Sequence, residues 1–503
     1  MTQQEKLYAT QMGIDTHEEP VVYMRSDCDV CLSEGFTAST RLSVNADGRS
    51  IIATLNIVTG DTLEPGRIGF SRSAWRYLSL REGAAVDVGH APVVASLSFM
   101  RKKIYGHDLA PAEILAIIRD ISQRLYSDVE IAGFLAACAG DRLSLAEVIE
   151  LTRAMVTVGN QLQWPGAPKV FDKHCVGGLP GNRTTPIVIA IASAAGLTMP
   201  KTSSRAITSP AGTADTMEVL TEVDLDTHKL QSVVQEVGAC LAWGGKVKLS
   251  PTDDLLIRIE KALDLDGEGQ LVASVLSKKI AAGSTHVLID IPVGPTAKVR
   301  DQASAQRLSA LMYAVAEALQ LQVHCVITDG SQTVGEGIGP VEEAKDVVAV
   351  LQNDSTAPKD LAERSVLLAG HLLTMATGEP LEQGLAQARE ILSSGKAWKQ
   401  FERICQAQGG LKSIPTAAHQ TDLYAVESGT LRSMDNRRLA MLAKLAGAPE
   451  SPVSGLRLRA KAGDRVAEGQ PVATLFAATP GELAYALAYY RENRDMFQVG
   501  ETS

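Results

Sequence analysis

The sequence predicts a multidomain α/β protein with a small β-rich N-terminal domain, a helical domain, a large α/β domain with a central mixed sheet, and a C-terminal α+β domain. The chain has 503 residues, and at about 150 residues per domain this length suggests roughly three or four domains. The hydrophobic period changes from two to a helical spacing near residue 109 and returns to two beyond residue 415. The predicted domain boundaries are 1–88, then 89–163 with 252–283, then 164–251 with 284–414, and finally 415–503.

The first two domains are predicted from turns and helix caps. Residues 41–94 alternate apolar and polar side chains between the turn signals at 46–48 and 64–66, which indicates short strands. Farther along, Ser127 with Glu130 and Ser144 with Glu147 have the spacing of capping boxes, in which side chains satisfy the orphan donors at a helix start. These caps predict a helical layer.

The third domain is predicted from apolar runs. The β-type runs at 287–289 and 323–327 alternate with helical stretches between about 170 and 328, which is typical of an α/β sheet. The small-apolar run 186–197 is shorter than the ~20 residues of a membrane span and predicts a buried helix. Residues 360–377, 381–393 and 397–409 predict three further helices.

The C-terminal segment 462–472 resembles a barrel-sandwich turn. Biotinyl and lipoyl carrier modules use similar turns around a modified lysine, so a carrier role for Lys461 is one interpretation. Since Lys461 does not sit between methionines, a structural role is the favoured one.

Composition excludes several classes of function. The net charge of −10 and the lack of a basic stripe argue against a nucleic-acid partner. Seven cysteines, sparse and odd in number, do not form a disulfide framework and suggest a cytoplasmic protein. The polar start lacks the apolar core of a signal peptide, and no membrane partner is expected. Cys28 and Cys31 form a lone Cys-x-x-Cys without a second pair or a suitably spaced histidine, so no metal is expected.

Two segments carry the chemistry. The first, residues 172–185, reads DKHCVGGLPGNRTT and precedes an apolar helical run. Glycines let backbone amides approach a ligand closely, and the following helix start adds partial positive charge, so an anion is the expected ligand. Neither a Walker motif nor a dinucleotide fingerprint is matched. A plain glycine-rich turn is the alternative for this segment alone.

The second segment, residues 201–216, reads KTSSRAITSPAGTADT and concentrates small hydroxyl side chains around Arg205. Serine and threonine can donate to phosphate oxygens and accept from sugar hydroxyls. A solvated Ser/Thr loop is the alternative. Because the two segments flank a single predicted helix, we expect both to contribute to one pocket for an oxyanion.

These motifs resemble a known family. The stretch DKHCVGG at 172–178 is similar to the Asp-Lys-His-Ser-x-Gly-Gly signature of thymidine and pyrimidine-nucleoside phosphorylases. The stretch SSRAITSPAGTAD at 203–215 resembles the AMP phosphorylase branch of that family, which shares the N-terminal β region. The resemblance extends to the end of the chain and implies a pentosyltransferase that splits an N-glycosidic bond with inorganic phosphate.

The resemblance implies roles for individual residues. The phosphate-binding positions are Lys173, Cys175, Thr185, Ser203 and Thr213. Cys175 departs from the family, which usually has serine there, and a thiol is a weaker donor. The substrate-binding positions implied are Gly178, Ser204, Arg205, Ala206, Ile207, Thr208, Ser209, Thr213, Arg258, Ser274, Lys278 and Lys298.

The catalytic positions implied are Asp266, His174 and Lys173. In the AMP phosphorylase branch an aspartate protonates the departing base, and Asp266 matches it; an exposed loop carboxylate is the alternative. His174 would complete the base-contacting set of Arg258, Ser274 and Lys278. Lys261 and Lys279 are expected on solvated helix faces.

Two substrates remain open at the level of sequence. One is thymidine or another pyrimidine nucleoside, and the other is a nucleoside 5′-monophosphate such as AMP, CMP or UMP. A phosphoribosyltransferase of related fold is less favoured because the Lys-His pair has no role in it. No cofactor is expected because phosphate serves as the co-substrate, and the family implies a homodimer or higher homo-oligomer.

Overall fold

The computed structural model describes residues 6–206, 209–265 and 267–500. The chain forms two compact units, of which one comprises Met1–Ala154 with Thr252–Gly267 and the other Met155–Pro251 with Glu268–Ser503. No helix in the described part of the chain has the length and apolar character needed to cross a membrane. The boundaries of the four predicted domains stay a prediction.

The N-terminal strands close into a barrel in the order β1-β5-β2-β4-β3-β6. The elements are β1 (Leu7–Gln11), β2 (Val21–Arg25), α1 (Asp29–Glu34), β3 (Arg41–Ala46), β4 (Arg49–Val58), β5 (Arg67–Phe70), α2 (Arg72–Leu78) and β6 (Ala85–His90). The turn between β3 and β4 places Asp47 at φ 47° and Gly48 at φ 77°. Such positive values match the twist of a two-residue hairpin and explain the Asp-Gly sequence. The short strands predicted between residues 41 and 94 are confirmed as β3, β4, β5 and β6.

Four helices follow the barrel, and all but the last four residues of the fourth belong to the first unit. They are α3 (Leu97–Ile104), α4 (Pro111–Ser122), α5 (Asp128–Cys138) and α6 (Leu145–Val158). Both predicted capping boxes are present: Ser127 N–H donates to Glu130 Oε2 over 2.7 Å, and Ser144 N–H donates to Glu147 Oε2 over 3.0 Å. Glu147 also accepts from the buried Lys103 ammonium over 2.7 Å, which ties α3 to the start of α6.

Two parallel sheets organise the next region, one of three strands and one of two. Its elements are β7 (Phe171–Cys175), α7 (Thr184–Ala194), β8 (Met199–Ser203), α8 (Thr213–Leu220), α9 (Thr227–Val237), β9 (Ala239–Trp243), α10 (Gly244–Val247), α11 (Pro251–Leu263), α12 (Glu268–Ala281), β10 (His286–Val293), α13 (Gln302–Ala318) and β11 (Gln322–Asp329). Most of α11 belongs to the first unit and the rest to the second. The strands pair in the orders β11-β10-β7 and β8-β9, all parallel. Ligands of such sheets bind beyond the carboxyl ends of the strands, where β7 and β8 lead into the two predicted anion segments.

Helix α7 is almost fully buried beside these sheets. Every residue from 184 to 193 is buried, because the run of Ile, Val and Ala fills the space between the sheet and the following helices. The predicted buried helix is therefore confirmed. Helix α7 begins directly after the glycine-rich segment. Because its first turn is buried, packing fixes the positions of the backbone amide groups there.

The rest of the second unit contains helices and two antiparallel sheets, ordered β12-β15-β17-β13 and β16-β14-β18. The elements are β12 (Gly337–Ile338), α14 (Pro340–Leu351), α15 (Lys359–Thr377), α16 (Leu381–Ser393), α17 (Lys396–Gln408), β13 (His419–Tyr424), β14 (Gly429–Met434), α18 (Asn436–Leu445), β15 (Gly455–Leu458), β16 (Arg465–Val466), β17 (Pro471–Ala477), α19 (Pro480–Glu492) and β18 (Phe497–Gly500). The three helices predicted between residues 360 and 409 are confirmed as α15, α16 and α17. The multidomain α/β class is confirmed as well.

Lys461 anchors the C-terminal turn to the α/β region. Its ammonium donates to the Thr333 carbonyl over 3.0 Å and to Asp360 Oδ2 over 3.0 Å. A lysine held by an ion pair and a backbone carbonyl has a structural role here, which agrees with the interpretation favoured from the sequence.

Candidate active site

Lys173 is the cation at the centre of the first segment. It lies on β7 with no exposed surface, and its Nζ donates to Thr184 Oγ1 over 2.8 Å and to Thr185 Oγ1 over 3.4 Å. Both threonines begin α7, whose N-terminus carries partial positive charge. A full charge, two hydroxyls and a helix start therefore converge at the end of β7.

Asp290 is the counter-ion on the neighbouring strand. Its Oδ2 lies 4.0 Å from Lys173 Nζ, and its Oδ1 accepts from Thr328 Oγ1 over 2.7 Å. Asn182 Nδ2 approaches the same carboxylate over 3.5 Å and donates to Cys175 Sγ over 3.3 Å. Burial, with a smaller contribution from Asp290, raises the pKa of Cys175 to about 12. Cys175 is therefore a neutral thiol at physiological pH.

The other face of β7 carries an ion triad. Asp172 is fully buried and lies 3.1 Å from Lys201 Nζ and 2.7 Å from Lys279 Nζ. Burial alone would raise the pKa of Asp172, but the two lysines outweigh it and hold the pKa below its ordinary value. The expectation of a solvated Lys279 is wrong: its side chain is 4% exposed, because it lies on the face of α12 that packs inward.

His174 lies on the same face of β7 as Asp172. Burial, and then the positive charges of Lys279 and Lys201, lower its pKa well below the ordinary value. Its imidazole is therefore neutral at physiological pH, with one ring nitrogen able to donate and the other able to accept.

The second segment is folded around Asp215. This residue belongs to the first turn of α8, and its Oδ2 accepts from Ala206 N–H over 2.6 Å and from Gly212 N–H over 2.8 Å. Gly212 has no room for a side chain, since a Cβ there would lie 2.6 Å from the Ser204 carbonyl oxygen. Ser204 and Ala206 therefore lie close to Gly212, while Ser203 lies at the end of β8 and Thr213 at the start of α8.

Ser203 and Ser209 differ in their hydrogen bonding. Ser203 Oγ is buried at the end of β8 and has no hydrogen-bond partner among residues 6–206, 209–265 and 267–500. A buried orphan hydroxyl is costly and suits a site that a ligand completes. Ser209 Oγ instead donates to the Ala211 carbonyl over 2.8 Å, so it is engaged within its own loop.

Arg205 is held at the edge of the second segment. It forms a two-pronged contact with Glu218, at 2.5 and 2.8 Å, and a further one with Asp215 at 3.2 Å. Its guanidinium also stacks over the Trp243 ring at 4.9 Å from the centroid. These contacts stabilise the loop beside Ser204 and Ala206.

Arg183 connects the two segments. It precedes the first turn of α7, and its Nη1 donates to Thr213 Oγ1 over 2.8 Å while Nη2 donates to the Ala211 carbonyl over 2.9 Å. Glu343 on α14 binds the same guanidinium and accepts a hydrogen bond from Arg183 Nε over 2.7 Å. The structure thus brings together the two segments that the sequence predicts to share a pocket.

Gly178 lies against the loop that follows β10. Its φ of +81° suits glycine, and a Cβ there would lie 2.6 Å from the Lys298 backbone nitrogen. Two positions predicted to contact substrate, 178 and 298, are therefore neighbours although far apart in the chain.

The positions predicted to contact the base lie on two helices. Ser274 and Lys278 are on α12, one turn apart on the helix. Arg258 is on α11 in the first unit, where its guanidinium forms a bidentate pair with Asp128 at 2.5 and 2.7 Å. The predictions for Ile207, Thr208 and Asp266 lie outside the described residues.

Sequence reasoning assigned no role to Arg183, Asp290 or Glu343, nor to the triad around Asp172. Arg183 lies within the first motif, so the sequence shows the residue but does not show that it contacts Thr213 and Glu343. Buried carboxylates such as Glu343 carry one signal in the sequence, namely a charged residue in a helix with an otherwise apolar inward face.

Three known sequence families match the chain. The helical bundle domain of a glycosyl transferase family matches residues 97–159, and the a/b domain of that glycosyl transferase family matches residues 167–398. The pyrimidine nucleoside phosphorylase C-terminal domain matches residues 430–496. These matches cover the site described above and part of the C-terminal sheets.

Full-length relatives are also similar. "Putative thymidine phosphorylase 2" of Acidovorax sp. (strain JS42) is 55% identical over 99% of this chain and 96% of its own length. "Putative thymidine phosphorylase" of Polaromonas sp. (strain JS666 / ATCC BAA-500) is 54% identical over 99% of this chain and 97% of its own length. A relative from Hahella chejuensis (strain KCTC 2396) is 51% identical over 99% of this chain and 98% of its own length.

A solved structure of another enzyme resembles part of the fold. Anthranilate phosphoribosyltransferase from Thermus thermophilus superposes with a TM-score of 0.52 at 22% identity, covering 61% of this chain and 98% of that protein. At this identity the similarity concerns the fold alone.

Proposed function

Since the chain belongs to the thymidine and pyrimidine-nucleoside phosphorylase family, we propose that it catalyses the phosphorolysis of thymidine, giving thymine and 2-deoxyribose 1-phosphate. The observation that carries this proposal is the meeting of two anion-binding segments at one arginine, in a chain whose full-length relatives are named for this activity. The relatives' names favour the nucleoside over the nucleoside monophosphate as substrate.

The proposed reaction needs a positioned phosphate. Lys173, Thr185, Ser203 and Thr213 hold inorganic phosphate beyond the ends of β7 and β8, where the starts of α7 and α8 add favourable dipoles. A phosphate oxygen forms a bond to C1′ of the sugar while the bond from C1′ to N1 of the base breaks. The negative charge of the phosphate stabilises the cationic character that develops at the sugar.

The departing base leaves with the electron pair of the broken bond. A pyrimidine anion is stabilised by hydrogen-bond donors, and we assign Ser274 and Lys278 on α12 to this task together with the neutral His174. The part of Arg258 in reading the base and that of Asp266 as a proton donor stay predictions. The site is proposed to work without a cofactor, because phosphate is the nucleophile and no redox step occurs.

The setting of the enzyme is also proposed. Sparse, unpaired cysteines suit a reducing cytoplasm, and members of the family are expected to act as homodimers or higher homo-oligomers. Gel filtration with light scattering tests the second point, since a monomer at micromolar concentration would contradict it.

A substrate panel tests the proposed function. The protein is incubated with phosphate and separately with thymidine, uridine, AMP, CMP or UMP, and the free base is measured by chromatography. We expect thymine release that requires phosphate, and no base from the monophosphates. Release from monophosphates alone would replace the proposed substrate. The exposed-lysine variant Lys169→Met serves as the active control, because Lys169 lies four residues before Lys173 but outside the site.

A further inference from the structure

We propose that Arg183 is a positioning residue that sets the direction of the Thr213 hydroxyl, so that its proton points toward the bound phosphate. This inference rests on the proposed function and adds a residue to it. Arg183 stands apart from the phosphate-binding positions implied by the sequence, and its contacts in the structure are to the protein itself.

The direction of the hydroxyl follows from the chemistry of the guanidinium. Arg183 Nη1 donates to Thr213 Oγ1 over 2.8 Å, and a guanidinium has donors only, so the threonine oxygen must be the acceptor. The hydroxyl proton therefore points away from Arg183. Within the residues that the structure describes, no acceptor is recorded for that proton. A phosphate oxygen is a strong acceptor and completes the arrangement.

Lys173 makes the same arrangement at the other segment. Its ammonium donates to Thr184 Oγ1 and Thr185 Oγ1, and an ammonium also has no acceptor. Two cationic side chains, Lys173 and Arg183, thus donate hydrogen bonds to threonine hydroxyls at the starts of α7 and α8. Each hydroxyl is polarised by a positive charge and keeps its proton for a ligand, which strengthens the hydrogen bond to an anion.

Glu343 keeps Arg183 in this role. Its side chain is 1% exposed, and its Oε2 lies 2.6 Å from Arg183 Nη2 and accepts from Thr216 Oγ1 over 3.2 Å. Its Oε1 accepts from Gly339 N–H over 3.2 Å. Because the carboxylate is fixed by α8 and by the start of α14, it holds the guanidinium behind Thr213 and away from direct contact with phosphate.

A double-mutant cycle tests the proposal. The variants are Arg183→Met, Thr213→Val and the pair, and the readouts are the calorimetric Kd of inorganic phosphate for the full-length protein and the KM values of phosphate and thymidine. Loss of one hydrogen bond to a charged ligand weakens phosphate binding by about tenfold. We expect each single variant to lose about that much, and the pair to lose about tenfold rather than a hundredfold.

The other outcomes each decide the question. Additive losses would mean that Arg183 contacts phosphate directly and would overturn the positioning role. Equal changes in both KM values, or unchanged phosphate binding in Arg183→Met, would mean a merely structural role. Arg183→Lys keeps the charge and one donor nitrogen, so we expect it to recover part of the affinity. It replaces Arg183→Met in the cycle should the methionine variant not fold. Arg389→Met, at an exposed position on α16, is the control for losing an arginine.

The cycle also separates this proposal from the proposed function. A wild-type protein that binds no phosphate would overturn both, because there would be no ligand to receive the hydroxyl proton. A wild-type protein that binds phosphate and releases thymine, with an Arg183→Met variant of equal affinity, would overturn the role of Arg183 alone.

Discussion

The carboxylate of Asp172 lies 2.7 Å from the ammonium of Lys279, and both side chains are buried. Lys201 Nζ approaches the same carboxylate at 3.1 Å. The single negative charge of Asp172 thus pairs with two lysines, one on β8 and one on α12. Through these two ion pairs the Asp172 side chain connects β7, β8 and α12.

Replacing Asp172 by asparagine is expected to destabilise the second unit. Breaking a buried pair by removing one partner costs about 3–5 kcal/mol, because the remaining charges lose their compensation. Thermal or denaturant unfolding measures the change. The double variant Asp172→Asn with Lys279→Met should recover part of it, since one uncompensated charge is removed; no recovery would contradict the ion-triad interpretation.

The effect of Asp172 on stability should depend on pH. Its folded-state pKa is lowered, so its stabilisation is fully present above the ordinary aspartate pKa and is lost as the pH falls through the folded value. The stability difference between wild type and Asp172→Asn should therefore shrink as the pH falls below about 4. Unfolding curves across this range check the sign.

Lys173→Met is expected to lose most of the activity. The lysine is the buried cation that donates to both threonines at the start of α7, and removing one preorganised charge-stabilising donor lowers kcat by about 10²–10³-fold. Thymine release under saturating thymidine measures it, with Lys169→Met as the exposed control. Near-normal turnover would remove Lys173 from the phosphate site.

Cys175→Ser is expected to tighten phosphate binding. The thiol is neutral, accepts from Asn182 and is a weak donor, whereas a hydroxyl in its place could accept the same bond and donate more strongly to phosphate. A gain of about 1 kcal/mol lowers the KM of phosphate about fivefold. Cys175→Ala is the matched comparison, and a serine variant no better than the alanine variant would show that this side chain does not touch phosphate.

Gly178→Ala, compared with Gly196→Ala, tests whether position 178 needs glycine for its close approach to Lys298 or only for its positive φ. Gly178 and Gly196 have φ values of +81° and +93°, but only the former would place a Cβ against a neighbour, 2.6 Å from the Lys298 nitrogen. Both variants carry the left-handed cost of roughly 1–2 kcal/mol. We expect Gly196→Ala to show that stability loss alone, and Gly178→Ala to raise the KM of thymidine as well. Equal KM values in the two variants would argue against a substrate contact at position 178.

Much of the fold follows from local patterns in the chain. Helices α15, α16 and α17 and strands β10 and β11 lie where the hydrophobic period and the apolar runs predict them, because burial of one face decides such elements. The capping boxes at Ser127 and Ser144 are local for the same reason: donor and acceptor are three residues apart.

The contacts that assemble the site are not local. Arg183 and Glu343 are 160 residues apart, and Lys279 forms an ion pair with Asp172 although the two residues are far apart in the sequence. A charged residue in a helix is predicted to be exposed to solvent unless its partner is known. For this reason the expectation that Lys279 lies on a solvated helix face is wrong. The motif positions could be predicted, whereas the buried charges that hold them depend on tertiary packing.

His174 is expected to stay neutral across the physiological range. Burial first, and then the nearby charges of Lys279, Lys201, Lys278 and Lys173, lower its pKa well below the ordinary value. Between that folded value and about pH 6.5 the unfolded chain binds a proton that the folded protein does not, so stability rises with pH in this window by up to about 1.4 kcal/mol per unit. In His174→Asn this slope should flatten. Selective ¹³C-histidine NMR, assigned with the same variant, should show a His174 resonance that does not move between pH 6 and 8; a midpoint near 6.5 would mean that the imidazole is hydrated and that the charges around it do not act on it.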